Sequence, residues 1–274
     1  MLFTTQNNSQ RRQIRKVKEM KNIRNAGYIL VAAMLVACGK APEPKNDFER
    51  AAYAEQRPSS DQKADEYRKP AKVLEFAQVA KGMSVGDLSA GGGYYTELLS
   101  HLVGKEGTVF YHNKPDWAEK EKNKQKIAER TQNNRLENVE TVIADLNAYS
   151  FKKSADIIFL SKIYHDLYLK EDSEERKNSI AAFMTNLKKN LKPSGRVLVI
   201  DHSAAKGTAE SSTGKTHRID EEFVKGEFAS HGFKFVSSTD ILRNQSDDRT
   251  TNIWNSSQFP NTDRFVLLFE LESK

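Results

Sequence analysis

Val85-Gly86-Asp87-Leu88-Ser89-Ala90-Gly91-Gly92-Gly93-Tyr94-Tyr95 is the stretch that decides the fold of this chain. A short apolar run, Met83 to Leu88, ends in an acid and a glycine-dense turn. Beyond the turn, Tyr94, Tyr95, Leu98, Leu99 and Leu102 recur at the spacing of one buried helix face. Strand, glycine loop and helix is the arrangement by which a doubly wound sheet holds a nucleotide. Glycines let the backbone approach the ligand, and the crevice lies beyond the carboxyl ends of the strands. The spacing here is acid-x-x-x-Gly-x-Gly, which differs from the GxGxxG of dinucleotide sites. A glycine loop alone also fits an ordinary tight turn, so the surrounding pattern has to decide.

Working outward, strands and helices alternate, which implies a parallel sheet. Strands are predicted at 84–88, 108–112, 139–143, 155–160 and 196–201, with helices near 94–103, 116–132 and 174–191. In the last of these Ile180, Phe183, Met184, Leu187 and Leu191 share a face, and Lys192-Pro193-Ser194-Gly195 reads as its stop signal. Residues 203–216, rich in Ser, Thr, Gly and Ala, are expected to form a mobile loop. A helix over 220–231 follows, then strands at 233–242 and 264–271 as a closing antiparallel pair. Before the glycine loop, residues 47–70 form a charged extension, helical in two pieces interrupted at Pro58, and are expected to cover part of the core domain at 71–274. The fold class predicted is α/β: a seven-stranded, mostly parallel sheet with helices on both faces, Rossmann-like.

The 274 residues carry a formal charge of +6, but residues 1–37 hold seven Lys or Arg against one acid. The remainder has 36 basic and 36 acidic residues and is neutral. A neutral body lacks the electrostatic footprint of a nucleic-acid binder. The basic segment instead precedes an uncharged run from Ala26 to Val36, too short for the roughly 20 residues of a bilayer span. Positive residues, a short apolar core and a small-residue exit describe a secretory signal peptide over 1–37. Its start is Met1 or Met20. The exit, Leu35-Val36-Ala37-Cys38-Gly39, resembles the bacterial lipobox. That resemblance implies cleavage before Cys38 and lipid on its thiol and amino group. Cys38 is the only cysteine, so no internal disulfide is available, and a lipid attachment explains a lone thiol on an exported protein. Residues 38–46 would then be anchor and tether. Gly39 offers no acidic retention signal, so the expected address is the cell envelope, at the periplasmic face of the outer membrane in a Gram-negative host.

The glycine loop, the order of seven strands and the late strand pair together resemble the class I S-adenosylmethionine-dependent methyltransferases. The usual first motif there is acid-x-Gly-x-Gly-x-Gly; here Ser89 stands for the first glycine. More narrowly, Gly91 to Leu99 (GGGYYTELL) and His217 to Asp220 (HRID) resemble a branch of predicted bacterial methyltransferases, over roughly residues 70–271. The resemblance implies S-adenosylmethionine as cofactor, with Asp87, Ser89, Ala90, Gly91 and Gly93 under its amino acid end. It implies ribose contact at Asn113, where the wider family has an acid. Asn exchanges a hydrogen bond with a hydroxyl but loses the charge-assisted form. Asp145, after the third strand, matches the position that binds the adenine amine; a cap or turn role is its ordinary alternative.

Ser161-Lys162-Ile163-Tyr164-His165-Asp166, after the fourth strand, should sit where a methyl acceptor meets the sulfonium. Methyl transfer needs alignment of nucleophile and methyl, and an acidic acceptor also needs a base. His165 has a suitable unperturbed pKa, Asp166 could orient or balance it, and Tyr164 completes the segment. Shaping the pocket wall is the alternative role. Asp201-His202 is a second candidate pair on the same rim. His217 and Arg218 either fold over an acceptor or pin the loop before them, and Arg218 would suit a carboxylate or phosphate. No metal site is expected, since the six histidines show no HExxH or similar spacing and one cysteine excludes a thiolate cluster. The resulting reading is methyl transfer to a small-molecule acceptor by a membrane-anchored lipoprotein. The alternative is a catalytically inactive ligand-binding lipoprotein of the same fold.

Overall fold

Seven strands form one sheet in the order β3-β2-β1-β4-β5-β7-β6 in a computed structural model that describes residues 43–272. The leader, Cys38 and the first part of the tether lie outside the described residues. The strands are β1 (Ser84–Leu88), β2 (Thr108–Asn113), β3 (Val139–Ile143), β4 (Ala155–Ser161), β5 (Leu191–His202), β6 (Phe233–Thr239) and β7 (Arg264–Leu271). Strands β1 to β5 pair in parallel, and β7 inserts antiparallel between β5 and β6. The order reverses at β1 and β4, so a crevice opens beyond their carboxyl ends, as expected of a doubly wound sheet. Among the described residues no helix is long and apolar enough to cross a membrane.

Before the sheet come α1 (Asp47–Ala52), α2 (Ser59–Arg68) and α3 (Pro70–Phe76). Within and after it come α4 (Tyr94–Val103), α5 (Pro115–Ala118), α6 (Glu121–Thr131), α7 (Glu174–Lys189), α8 (Thr213–Thr216) and α9 (Glu221–Ser230). Each sheet face buries its own apolar cluster. One packs Ile158 and Leu160 against Ile180, Phe183 and Leu187 of α7 and Phe228 of α9. The other packs Val85 and Phe159 against Val73 and Leu74 of α3 and Leu98, Leu99 and Leu102 of α4. Continuous burial along β1 and most of β4 follows from these two layers.

Several boundaries depart from the sequence pattern, the largest at β5, which begins at Leu191 rather than 196, so that Lys192-Pro193-Ser194-Gly195, expected as a stop signal, runs within the strand. The helix expected over 116–132 breaks into α5 and α6 because Lys120 is extended and the Asn123 side chain donates to the Trp117 carbonyl at 2.9 Å. Helix α7 stops at Lys189 rather than 191: the Asn190 amide accepts from Phe151 N at 2.8 Å and donates to the Asn186 carbonyl at 2.9 Å. Its Ser173 N-cap, early Glu174 and Glu175 and late Lys188 and Lys189 match the helix dipole. Strand β6 ends at Thr239, where Arg243 N donates to Asp240 O and turns the chain. Residues 203–216, expected as a loop, contain α8 and a short 3-10 turn (Glu210–Ser212) with Thr213 buried.

Candidate active site

Strand β1 delivers the glycine loop to the crevice, and side chains from β2 hold it there. Ser89, Gly91 and Gly93 all have left-handed backbone, φ +46°, +58° and +78°. Only glycine adopts this freely. At Gly93 a side chain would also meet Arg130 at 3.1 Å. Ala90 N donates to the His112 carbonyl at 2.9 Å. Ser89 N donates to His112 Nδ1 at 3.2 Å, so His112 carries its proton on Nε2 and donates it to the Ala144 carbonyl at 2.9 Å. Burial pushes His112 down to about 4, so it stays neutral. Asn113 is buried and spends its amide on one residue: its oxygen accepts from Gly91 N at 2.8 Å and its nitrogen donates to Gly91 O at 3.1 Å. Asn113 therefore shapes the loop from below.

Arg130, from α6, closes the loop from the other side. Its Nε donates to the Gly92 carbonyl at 2.8 Å, and it pairs with Glu97 and with Asp61 of α2. Burial disfavours the Glu97 carboxylate, but His101, Arg135 and Arg130 outweigh it and bring Glu97 down to about 2. Asp61 ties helix α2 to the glycine loop, and so does Asp65, which accepts from Tyr94 Oη at 2.6 Å.

Between α2, the glycine loop and the ends of β4 and β5 lies a cavity of about 790 Å³. That volume falls in the usual range for small-ligand sites. Asp87, Ser89, Ala90, Gly91, Gly92 and Tyr95 line it on one side. Lys162, His165, Asp166, His202, His217 and Trp254 line the other. Asp87 accepts from Thr96 Oγ1 at 2.7 Å; burial pushes it up to about 6, against that bond and the nearby Arg130 and Arg68. Ser89 Oγ is buried with no hydrogen-bond partner. An orphaned hydroxyl beside a glycine turn at the cavity wall fits a ligand with a polar edge.

His165 is fixed by Asp201, the last acid of β5. The His165 ring donates from Nδ1 to Asp201 Oδ1 at 2.7 Å, and its backbone N donates to Asp201 Oδ2 at 2.9 Å. Nε2 is left toward the cavity, 3.2 Å from Asp166. Burial pulls the His165 pKa down, but the charge and hydrogen bond of Asp201 outweigh it and raise it above the usual 6.5. Asp201 is fully buried and, despite that, held below its usual range, chiefly by His165. His202 shares a 2.7 Å hydrogen bond with Thr262, and burial drives it down to about 3, so it stays neutral. The His217 ring stands 5.6 Å from the His165 ring. One donor atom each of His165, Asp166 and His217 fall within 4.8 Å of one another, the closeness a metal site would need. No spacing in the sequence announces this trio.

The sequence-derived candidates thus divide. Asp87, Ser89, Ala90, Gly91, His165 and Asp166 line one cavity, and Gly93 caps α4 just behind it. Tyr164 does not face the cavity: it is fully buried and packs against the rings of Tyr168 and Phe228. The partner of His165 is Asp201, 36 positions away, more than the adjacent Asp166. Asp201 consequently serves His165 rather than the His202 ring. Arg218 is also turned inward, bound twice to Asp247 at 2.7 and 2.9 Å. Asp145 is exposed, its carbonyl accepts from Ala148 and Tyr149, and like Asn113 it lies outside the cavity lining. Arg130, His112 and Lys162 were not singled out by sequence; position at or beside a strand end could have flagged His112 and Lys162, and nothing local flags Arg130, which lies within α6.

Comparison with known proteins agrees with this architecture. The sequence pattern of the family described as protein-L-isoaspartate(D-aspartate) O-methyltransferase (PCMT) matches residues 15–156. A crystal structure of a SAM dependent methyltransferase from Aquifex aeolicus is 21% identical, with a TM-score of 0.53, covering 79% of this chain and 99% of that one. The N-methyltransferase NodS from Bradyrhizobium japonicum WM9 is 16% identical, with a TM-score of 0.50, covering 78% and 99%. No curated protein matches the sequence. Fold and family are those of the S-adenosylmethionine-dependent methyltransferases, and S-adenosylmethionine is the cofactor that goes with them.

Proposed function

The chain belongs to the protein-L-isoaspartate(D-aspartate) O-methyltransferase family, and from that premise we propose that it methylates a small molecule carrying an acidic hydrogen. The observation that carries this reading is the Asp201–His165 pair, set across a cavity from the glycine loop. Asp87, Ser89, Ala90 and Gly91 would hold the cofactor; the orphaned Ser89 hydroxyl and the left-handed turn at Gly91 fit a ligand lying close to the backbone. When bound, S-adenosylmethionine supplies an electrophilic methyl on a cationic sulfur. The protein's own part is alignment and proton removal. Asp201 fixes the His165 tautomer, so that Nε2 faces the cavity and takes the acceptor's proton. Helix α2 and the segment bearing Trp254 and Phe259 form further walls of the cavity.

A small acceptor suits an enclosure of this size better than a folded protein would. Replacing His165 by Gln tests the catalytic reading. Turnover should fall by about 10² to 10⁴, with binding of S-adenosylhomocysteine unchanged. Turnover within threefold of the parent would end the assignment of His165 as base. Cofactor binding without turnover over a broad acceptor panel would favour an inactive binding protein.

The same reading places the enzyme on a membrane, held by lipid on Cys38 after removal of residues 1–37. Two or more acyl chains, at about 0.8 kcal/mol per buried methylene, suffice for stable anchoring. Mass spectrometry of the membrane fraction should find a mature chain beginning at modified Cys38. An intact leader or a bare Cys38 would contradict the anchor.

A further inference from the structure

Buried charge is costly unless paired, and this chain pairs its buried arginines consistently. Arg57 meets Asp65, Arg130 meets Asp61 and Glu97, Arg176 meets Asp172, and Arg218 meets Asp247. Three cations by the cavity lack such a partner: Arg264, which is buried, and Arg68 and Lys162, which are half-buried. Arg68 ends α2, Lys162 follows β4, and Arg264 begins β7. None of them forms an ion pair with any described residue.

Arg264 is only 2% exposed, yet its guanidinium donates to neutral groups alone: the carbonyls of Thr262 and Tyr67 and the side chain of Asn261. Arg68 lies over the Tyr94 ring at 4.2 Å, and its Nε is buried without an acceptor. Lys162 sits in a left-handed backbone, φ +60°, fixed by its own N–H on the Ile200 carbonyl at 2.7 Å. Burial, then repulsion from Arg68 and Arg264, brings its ammonium down to about 7, so the three cations feel one another. The carboxylates in range are already engaged. Asp87 accepts from Thr96, Asp201 from His165 and His202, and Asp263 from Asn244 while pairing with Arg243 and Arg249.

Arg68 and Lys162 both line the cavity, so the missing negative charge has an open route in. We propose that Arg68 and Lys162, with the positive charge of Arg264 behind them, form an anion subsite that takes a carboxylate carried by a ligand of this cavity. Such a group supplies the acceptor oxygens that Arg68 Nε and Lys162 Nζ lack, through charge-assisted hydrogen bonds. Arg218, the cation that the sequence pointed to for this task, is spent on Asp247. The inference rests on the methyl-transfer reading only for the two sources of that carboxylate: the amino acid end of the cofactor, or the acceptor.

Calorimetry on the full chain separates the sources. S-adenosylhomocysteine is compared with its decarboxylated counterpart, S-adenosyl-3-thiopropylamine. Malonate at constant ionic strength serves as a free carboxylate probe on the S-adenosylhomocysteine-saturated protein. Parent, Lys162→Met, Arg68→Gln and Lys162→Arg are measured alike. If the cofactor brings the carboxylate, the parent prefers S-adenosylhomocysteine by about 10- to 100-fold, and Lys162→Met and Arg68→Gln lose that preference while Lys162→Arg keeps most of it. If the acceptor brings it, the two nucleosides bind alike and malonate binds saturably, but not in Lys162→Met. In either case Lys162→Met should melt no lower than the parent, since it removes an unpaired, half-buried cation; a purely structural lysine would give the opposite. A preference under twofold with no malonate binding, or a preference untouched in both variants, overturns the subsite. Binding of malonate alone, dependent on Lys162, would keep the subsite and remove the methyl-transfer reading instead.

Discussion

Replacing Asp201 by Asn removes the charge that sets the state of His165. Asp201 accepts from the His165 ring at 2.7 Å, from the His165 backbone at 2.9 Å and from the His202 backbone at 2.8 Å. Asparagine keeps one acceptor oxygen, and its amide N–H must then face a backbone N–H. Two unit charges about 4 Å apart attract by about 4 kcal/mol at an effective dielectric of about 20. Removing one member of a buried pair costs about 3–5 kcal/mol. We therefore expect Asp201→Asn to lose about 3 kcal/mol of stability near pH 5. The His165 pKa should drop from above to below its usual 6.5, because burial then acts with little opposition. The sign follows from both partners. A raised histidine pKa stabilises the fold fully below 6.5 and loses that contribution as pH rises through the folded value. A lowered aspartate pKa stabilises above 3.8 and loses it as pH falls through the folded value. The difference between parent and variant should be widest between those limits and narrow above them. Carbon-13 NMR titration of labelled histidines, with urea unfolding at pH 5 and pH 8.5, reads both. An unchanged His165 titration, or a stability difference independent of pH, would refute the reasoning.

Four further outcomes follow. Asp87→Asn should raise the melting point at pH 7 but not at pH 4, because an acid pushed up to about 6 by burial costs up to about 3 kcal/mol once ionised; equal effects at both pH values would contradict this. Ser89→Gly should stabilise the unliganded protein by about 1 kcal/mol, measured by urea unfolding, by removing a strained left-handed serine and its orphaned hydroxyl. Arg130→Met should destabilise by about 3 kcal/mol in the same assay, since it strands Glu97 and Asp61 and frees the Gly92 carbonyl. Tyr164→Phe should leave turnover within about twofold, because Tyr164 packs in the core and not on the cavity.

The sheet was legible because apolar runs and helical periods repeat in strict alternation, and β1, β3 and β7 begin and end where the pattern places them. Boundaries slipped where a single polar side chain overrides the pattern, as Asn123 does at Trp117 and Asn190 does at Phe151. The site was half legible. Asp87, the glycine turn and His165 were picked out by chain position at or after strand ends. The partnerships do not, because β4 and β5 are brought side by side only by the sheet, which is how Asp201 comes to His165 across 36 residues. Tyr164 misled for a related reason: Ile163, His165 and Asp166 line the cavity while Tyr164 between them packs in the core, and sequence position does not tell which side chain of the segment turns inward. The unpaired cations were invisible, since a missing partner is a fact about space and not about sequence.

Titration of the full chain with S-adenosylhomocysteine, beside Gly91→Val, tests the central claim most directly. Gly91 has φ +58° and an amide held by Asn113, and a branched side chain there cannot keep that turn without strain. One molecule should bind per chain in the parent, with at least a tenfold weaker site in Gly91→Val and the far-ultraviolet circular dichroism of both alike. No binding to a folded parent, or equal binding by both, would contradict a methyltransferase cofactor site at this loop.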